Sequence, residues 1–195
     1  MVASADRRVL EAAVRQLAQW RADGIVEDDF AVHINLSATE LQRLELVDEI
    51  RQVLKRHSVP GRNLIIELTE TAMVKGNELD RYTLMSLKRL GVGMEIDDFG
   101  TGYSSISYLR RLPIDRVKAD RSLIGELESD ENQQKFVTAI IQLVHACGLD
   151  TLFEGIETAQ QAEYLKKAGC SAGQGYYFSR PVPSEQFVEL FKTAS

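Results

Sequence analysis

Residues able to do chemistry are concentrated between Gly91 and Asp120, where two adjacent carboxylates, a loop and a lysine follow one another. Val92 to Ile96 is an apolar run of strand length, which places Asp97 and Asp98 at the C-terminal end of a predicted buried strand. Neighbouring side chains of a strand point to opposite faces, so the two carboxylates meet only if the chain turns there. A divalent metal ion is the simplest partner that both can share.

The residues after Asp98 add a loop and a second strand. Phe99-Gly100-Thr101-Gly102-Tyr103-Ser104-Ser105 contains two glycines, which permit unusual backbone angles, and hydroxyl side chains suited to begin a short helix. Ile114 to Ala119 is predicted as the next strand and brings Lys118 and Asp120 to its end. An ammonium group there can meet a phosphate or activate a water. The alternative is a solvated acidic surface loop, followed by a strand whose lysine reaches the solvent.

The composition indicates the number of domains and argues against one class of ligand. The 195 residues suffice for one well-buried core and contain no linker rich in proline, glycine or serine, so we expect a single domain over residues 1–195. The net charge of −6 argues against binding to a nucleic acid polymer, because such binding needs a basic face that releases phosphate counterions. An anionic substrate would therefore depend on a metal ion or on local basic residues.

The sequence predicts neither export nor insertion into a membrane. No apolar run approaches the length of a membrane span, and the residues after Ser4 are charged where a signal peptide has an apolar core. Cys147 and Cys170 lack the spacing of a zinc motif and fit a reducing compartment. We expect a cytoplasmic protein.

Strand and helix patterns alternate along the whole chain. Apolar runs predict strands at 30–36, 63–68, 92–96, 114–119 and 150–153 and a last short one carrying Gln174; helical spacing predicts helices at 7–22, 38–56, 77–89, 132–146 and 159–167 and one from Ser184. Polar residues recur at the predicted C-terminal strand ends: Asn35, Glu67, Asp97, Asp98, Lys118, Glu154 and Gln174.

This alternation predicts an α/β fold with a parallel sheet. In a (β/α) barrel the C-terminal strand ends converge on one face, which is where such enzymes hold their active sites. An open doubly wound sheet is the rival fold, but it gathers its ligand at one switch point, and the sequence contains no Gly-x-Gly-x-x-Gly motif. We expect about six strands of a TIM-like barrel.

Buried carboxylates inside the predicted strands need partners, since an unpaired ionised group is costly to bury. Glu67 needs a metal ion or a lysine. His33 lies on the same strand face as Asn35, and Glu95 on the same face as Asp97, so we predict that His33 and Glu95 pair inside the barrel.

The motifs together resemble the EAL-domain family from about Val9 to the C-terminus. They are Asn35-Leu36-Ser37, Glu67-Leu68-Thr69-Glu70, Asp97-Asp98-Phe99-Gly100-Thr101-Gly102-Tyr103-Ser104-Ser105, Lys118-Ala119-Asp120-Arg121-Ser122, Glu154-Gly155-Ile156-Glu157-Thr158 and Gln174-Gly175-Tyr176-Tyr177-Phe178-Ser179-Arg180-Pro181. The resemblance implies a TIM-like barrel that hydrolyses cyclic di-guanylate (cyclic di-GMP) to the linear dinucleotide pGpG. It also implies two ions of Mg²⁺ or Mn²⁺, with inhibition by Ca²⁺.

The resemblance assigns a role to each matching residue. It implies metal ligation by Asn35, Glu67, Asp97 and Asp98; catalysis by Glu154, Lys118 and Gln174; substrate binding by Asp120, Arg180 and Pro181; and coupling of the site to a dimer contact by Glu70, Phe99, Gly100, Thr101 and Gly102. Lys118 would orient the attacking water or neutralise the phosphate. Glu154 would act as general base or position the nucleophile.

The N-terminal part of the chain departs from the family pattern. It contains no Glu-Ala-Leu sequence, its nearest approach being Glu11-Ala12-Ala13 in the first predicted helix. The family's Glu-Ala-Leu strand supplies a metal ligand, and an arginine just after it contacts the nucleotide. A TIM barrel has eight strands and ~250 residues, so we expect an N-terminally incomplete barrel with two open strand edges.

Two functions remain open. One is an EAL phosphodiesterase domain whose activity is impaired by loss of the first metal ligand, and the other is a catalytically inactive module for cyclic di-GMP binding, dimerisation or regulation. Open strand edges favour a homodimer or a strand-exchanged oligomer. The resemblance also implies an upstream sensory or GGDEF domain in the full-length protein.

Overall fold

The computed structural model describes residues 5–70, 78–101 and 109–194. By contacts between Cα atoms the chain divides into two compact units. The first comprises Met1–Glu67, Gly76–Gly93 and Pro181–Ser195, and the second comprises Leu68–Lys75 and Met94–Arg180.

The described residues form seven α-helices and six strands. The helices are α1 (Ala5–Ala22), α2 (Ala38–Leu41), α3 (Leu46–His57), α4 (Glu78–Arg89), α5 (Glu131–Ala146), α6 (Ala159–Lys167) and α7 (Ser184–Ala194); the strands are β1 (Val32–Asn35), β2 (Leu64–Thr69), β3 (Gly93–Phe99), β4 (Arg116–Ala119), β5 (Asp150–Phe153) and β6 (Ala172–Gly173).

The first unit is built around the parallel pair β1 and β2. Val32 lies opposite Leu64 and Asn35 opposite Glu67, so the two predicted ligands lie side by side on neighbouring strands. Helix α1 buries an apolar stripe at helical spacing, including Val14 and Leu17, against β1 and α3. Four aromatic rings pack α7 against α1 and against the residues just before β1: Trp20, Phe30, Phe187 and Phe191.

The second unit contains a parallel sheet in which β3 pairs with β4, β4 with β5 and β5 with β6. Lys118 lies opposite Leu152, and Ala119 opposite Phe153, so the carboxyl ends of β4 and β5 are adjacent. Phe153, Val137 and Ile141 are fully buried in the core between this sheet and helices α5 and α6. Fixed strand ends of this kind hold polar side chains in defined positions.

The single helix predicted for residues 38–56 is wrong, because two helices occupy this range. Arg43 N–H donates to Glu40 and Leu46 N–H to Arg43, which are tight three-residue steps that interrupt the α-helical ladder. Leu41 and Leu46 are buried on either side of the break, whereas Leu44 is 78% exposed. The interruption lets both apolar faces reach the core.

Within residues 5–70, 78–101 and 109–194, no helix combines the length and the apolar composition that crossing a bilayer requires.

Candidate active site

Asp97 and Asp98 lie near the C-terminal end of β3, which continues beyond the predicted last residue, Ile96, to Phe99. The pairing of β3 with β4 shifts between Ile96 and Phe99, and Asp98 adopts a left-handed backbone conformation with φ of 58°. Such a bulge changes the direction in which side chains leave the strand. The turn that the two carboxylates require is therefore a bulge within β3.

Lys118 on β4 joins a carboxylate of β3 to a carboxylate just after β5. Its side chain is only 5% exposed, and Nζ lies 3.0 Å from Oδ1 of Asp97 and 2.8 Å from Oε1 of Glu154. Gln174, just after β6, donates from Nε2 to the same Oε1 of Glu154 at 2.6 Å. The structure thus brings together three residues that were predicted to be catalytic and one predicted metal ligand.

Negative charge is concentrated around Asp98. Partial burial raises the pKa of this carboxyl group, and the charges of Asp97 and Asp120 raise it further, while Lys118 opposes them. Hydrogen bonds from Ser122 hold the pKa of Asp120 below its ordinary value. The ammonium group of Lys118 thus faces several carboxylates.

The donor set suits a hard divalent cation. One carboxylate oxygen from each of Asp97, Asp98 and Glu154 lies within 4.8 Å of the other two. Oxygen ligands of this kind are typical of sites for Mg²⁺ and Mn²⁺. These three carboxylates are therefore close enough together to share one ion.

The loop after β3 is held at its beginning. Glu70 is buried, and its Oε2 accepts a hydrogen bond of 3.4 Å from the backbone N–H of Gly100. Phe99 is also buried, and Thr101 donates through its hydroxyl to the carbonyl of Asp98 at 2.9 Å. Gly102, with Tyr103, Ser104 and Ser105, lies outside the described residues.

Asn35 and Glu67 are neighbours in the first unit. Leu36 N–H donates to the Glu67 carbonyl at 2.9 Å, and the next turn is fixed by a capping box between Ser37 and Glu40. The spacing Ser37-x-x-Glu40 is a sequence signature of this cap. These hydrogen bonds fix the course of the chain immediately after Asn35.

His33 and Glu95, predicted as a pair, each have another partner within their own unit. Nδ1 of His33 lies 2.9 Å from Oε1 of Glu67, and Nη1 of Arg116 donates to Oε1 of Glu95 at 2.9 Å. Sequence reasoning missed the contact of His33 with Glu67. The available signal was the alternation along β1, which places His33 on the same face as Asn35, the neighbour of Glu67.

The three residues predicted to bind substrate, Asp120, Arg180 and Pro181, have different surroundings. The guanidinium carbon of Arg180 lies 4.5 Å from the ring centre of Tyr176, and both side chains are exposed. Asp120 accepts the backbone N–H of Ser122 at 2.9 Å, which fixes the turn after β4. Pro181 is an exposed residue of the first unit.

Sequence reasoning also missed the constraint at Gly155. This residue has φ of 70°, and a Cβ atom there would lie 2.4 Å from Cβ of Arg121. Only glycine satisfies both the conformation and the close approach. Gly155 therefore fixes the chain immediately after Glu154; its position at a strand end was the only available signal.

Comparison with known proteins identifies relatives over nearly the whole chain. The model of the EAL domain matches residues 1–181. The bifunctional diguanylate cyclase/cyclic di-GMP phosphodiesterase MucR of Pseudomonas aeruginosa is 41% identical over 180 residues, covering 92% of this chain and 26% of MucR. The cyclic di-GMP phosphodiesterase NbdA of the same species is 37% identical over 195 residues, covering 98% of this chain and 25% of NbdA. The chain thus spans about a quarter of the length of these relatives.

Solved structures confirm the predicted fold class. The EAL domain of Mycobacterium smegmatis DcpA superposes with a TM-score of 0.89 at 36% identity, covering 96% of this chain and 84% of that one. The MucR phosphodiesterase in complex with cyclic di-GMP gives a TM-score of 0.85 at 40% identity, covering 93% of this chain and 72% of that one. Likeness at this identity and coverage establishes a common α/β, TIM-like fold, and the chain belongs to the EAL-domain family.

Proposed function

We propose that the chain is a phosphodiesterase domain that hydrolyses cyclic di-GMP to linear pGpG with the help of Mg²⁺ or Mn²⁺. The observation that carries the proposal is the position of Lys118 on β4, whose buried ammonium group joins Asp97 on β3 to Glu154 just after β5. An ammonium ion and carboxylates in one polar cluster supply both charge stabilisation and proton transfer to a phosphodiester.

Asp97 and Asp98 are the proposed ligands for divalent ions in the second unit, as their spacing with Glu154 suits an oxygen-coordinated cation. When bound, such ions polarise the phosphodiester and lower the pKa of a coordinated water. Asn35 and Glu67 are proposed as further metal ligands on the basis of their sequence motifs.

Glu154 is the proposed general base. Lys118 Nζ and Gln174 Nε2 both lie within 2.8 Å of its Oε1, so the orientation of the carboxylate is set from two sides. Gln174 is thus a positioning residue. Lys118 is proposed both to orient Glu154 and to neutralise the phosphate. Asp120, Arg180 and Pro181 are proposed to contact the nucleotide.

Glu70 is proposed to couple the site to a dimer contact through the loop formed by Phe99, Gly100, Thr101 and Gly102. The hydrogen bond from Gly100 to Glu70 supports this role, because it ties the loop to a buried carboxylate. We further propose that the chain forms a homodimer or a strand-exchanged oligomer in the bacterial cytoplasm. The bifunctional relative supports the presence of an additional sensory or GGDEF domain in the full-length protein.

A second candidate function is a non-catalytic module that binds cyclic di-GMP, or one that acts by dimerisation. It is favoured by one observation: the 195 residues contain no Glu-Ala-Leu sequence, so the ligand that this motif supplies in the family has no counterpart among them. Loss of one transition-state contact typically lowers turnover about 100-fold or more. We therefore expect hydrolysis by this chain alone to be weak.

The decisive experiment incubates the purified chain with cyclic di-GMP and Mn²⁺ and follows linear pGpG by chromatography. Binding is measured in parallel by calorimetry in Ca²⁺. We expect binding together with slow hydrolysis that the Glu154→Gln variant abolishes. The matched control is Glu163→Gln, which removes an exposed carboxylate paired with Lys167 and leaves turnover unchanged.

Each outcome separates the two functions. Hydrolysis lost in Glu154→Gln but retained in Glu163→Gln supports the phosphodiesterase. Binding without any linear product supports the non-catalytic module. A chain that neither binds nor hydrolyses the dinucleotide contradicts both, and turnover at the rate of complete EAL domains contradicts the expected impairment.

A further inference from the structure

His33 contacts Glu67 but has no role in the proposed function. Nδ1 of His33 lies 2.9 Å from Oε1 of Glu67, the first on β1 and the second on β2. Both residues belong to the first unit of the chain. The distance is that of a charge-assisted hydrogen bond in which the imidazole N–H donates to the carboxylate.

Strand register explains why these two side chains meet. Glu67 lies opposite Asn35, and His33 lies two residues before Asn35 on the same face of β1. The carboxylate of Glu67 therefore reaches a diagonal neighbour, a separation that a histidine side chain can span. A shift of one residue in the register would turn Glu67 to the opposite face and break the contact.

Burial makes the contact energetically important. The Glu67 side chain is 9% exposed and that of His33 is 35% exposed, so the carboxylate is largely removed from water. A buried carboxylate stays ionised only with polar partners, and the imidazole N–H is one of them. The hydrogen bond also restricts the rotation of the carboxylate group.

We propose that His33 is a positioning residue for metal binding: its Nδ1–H orients the carboxylate of Glu67 so that Glu67 can serve as a ligand. This inference rests on the proposed function, which assigns Glu67 as a ligand. Outer partners that orient a ligand typically affect metal affinity 10- to 100-fold. Both the imidazolium and the neutral Nδ1–H tautomer of His33 provide the required donor.

The test measures Mn²⁺ affinity of the purified chain by calorimetry, without substrate. His33→Leu removes the donor at similar size, and we expect it to weaken Mn²⁺ binding about 10- to 100-fold. His33→Asn places an amide N–H near the former position of Nδ1, so it should restore most of the affinity. A merely structural role of the ring predicts no such rescue by asparagine.

The chain offers a matched control in a second histidine–glutamate pair. Nε2 of His57 lies 2.7 Å from Oε1 of Glu11, and neither residue is a proposed ligand. His57→Leu should leave Mn²⁺ affinity unchanged while it alters stability. Thermal unfolding in a chelator identifies any variant that fails to fold. Independently, ¹⁵N NMR of the wild-type chain determines which ring nitrogen of His33 carries a proton, and we expect a proton on Nδ1.

The outcomes distinguish this inference from the proposed function. Glu67→Gln is measured alongside; if it leaves Mn²⁺ affinity unchanged, Glu67 is not a ligand and both assignments fall. If Glu67→Gln weakens binding but His33→Leu does not, only the role of His33 is overturned. A neutral Nε2–H tautomer of His33, or a His33→Asn variant as weak as His33→Leu, also overturns it.

Discussion

The ammonium group of Lys118 lies 2.8 Å from the carboxylate of Glu154, although 35 residues separate the two in sequence. The parallel pairing of β4 with β5 creates this proximity, since it brings the carboxyl ends of both strands to the same edge. Asp97 completes the cluster from β3. The positive charge in this buried cluster comes from Lys118, so its removal has a defined consequence.

Lys118→Met should destabilise the metal-free chain by about 3 kcal/mol, because it leaves carboxylates without their buried counter-ion. A divalent cation can replace the missing charge, so Mn²⁺ should raise the melting temperature of the variant more than that of the wild type. Urea unfolding in a chelator and thermal unfolding with Mn²⁺ measure the two effects.

Lys167→Met is the control for this prediction. Lys167 also pairs with a glutamate, Glu163, but its side chain is 73% exposed, and exposed pairs contribute little. We expect little change in stability and no enhanced response to Mn²⁺. Equal unfolding curves for Lys118→Met and the wild type in chelator would show that the buried ammonium does not stabilise the cluster.

Asp98→Asn should stabilise the metal-free chain, the opposite of most substitutions at a functional site. Burial and the negative charges of Asp97 and Asp120 disfavour the ionised form of Asp98, which is why its pKa is raised. Asparagine removes the charge and tolerates the left-handed conformation at this position. Thermal unfolding in chelator should show a higher melting temperature.

The same variant should bind Mn²⁺ more weakly, so stability and metal affinity change in opposite directions. Asp29→Asn, an exposed residue of the first unit, is the control and should change neither quantity. A destabilised Asp98→Asn variant in chelator would mean that repulsion among the carboxylates is not the dominant effect.

Elements with sharp local signals could be predicted from the sequence. The bounds of β5 and α6 were predicted as found, since Gly148 precedes the apolar strand and the Thr158 hydroxyl caps the helix. The residues at the ends of β4 and β5 were also placed correctly, because parallel strands share an edge. Local pattern and topology together therefore predicted that Lys118 and Glu154 end strands of one parallel sheet, but not their direct contact.

Other features depend on tertiary contacts that a pattern does not contain. The bulge at Asp98 arises from a shift in pairing between β3 and β4. The contact of His33 with Glu67 depends on a diagonal approach across β1 and β2, which alternation alone does not predict. The break between α2 and α3 reflects burial on both sides of Leu44.

Acid should remove a stabilising interaction between α1 and α3. Hydrogen bonds from His57 and Arg56 hold the pKa of Glu11 below its ordinary value of 4.5. A lowered carboxylate pKa contributes stability that is present above pH 4.5 and is lost as the pH falls through the folded-state pKa. Glu11→Gln should therefore cost about 0.5 to 1 kcal/mol at pH 7.

The difference between Glu11→Gln and the wild type should disappear in strong acid, where Glu11 is protonated in both the folded and the unfolded chain. Urea unfolding at several pH values below 7 measures it. Glu27→Gln, at an exposed glutamate of the first unit, should behave like the wild type throughout. A difference that stays constant down to strong acid would exclude an ionic origin.

Gly155→Ala should displace Glu154 and abolish hydrolysis, because the new Cβ would lie 2.4 Å from Cβ of Arg121 in a backbone with φ of 70°. Gly148→Ala is a matched control, since Gly148 has a similar φ of 79° but nothing within 4 Å of its Cβ position. Both variants carry the left-handed penalty of about 1–2 kcal/mol, and only Gly155→Ala adds a clash. Pairs of unfolding and turnover measurements should show stability lost in both variants and activity lost in Gly155→Ala alone. Equal activity in the two variants would mean that the chain after Glu154 has no part in positioning the carboxylate.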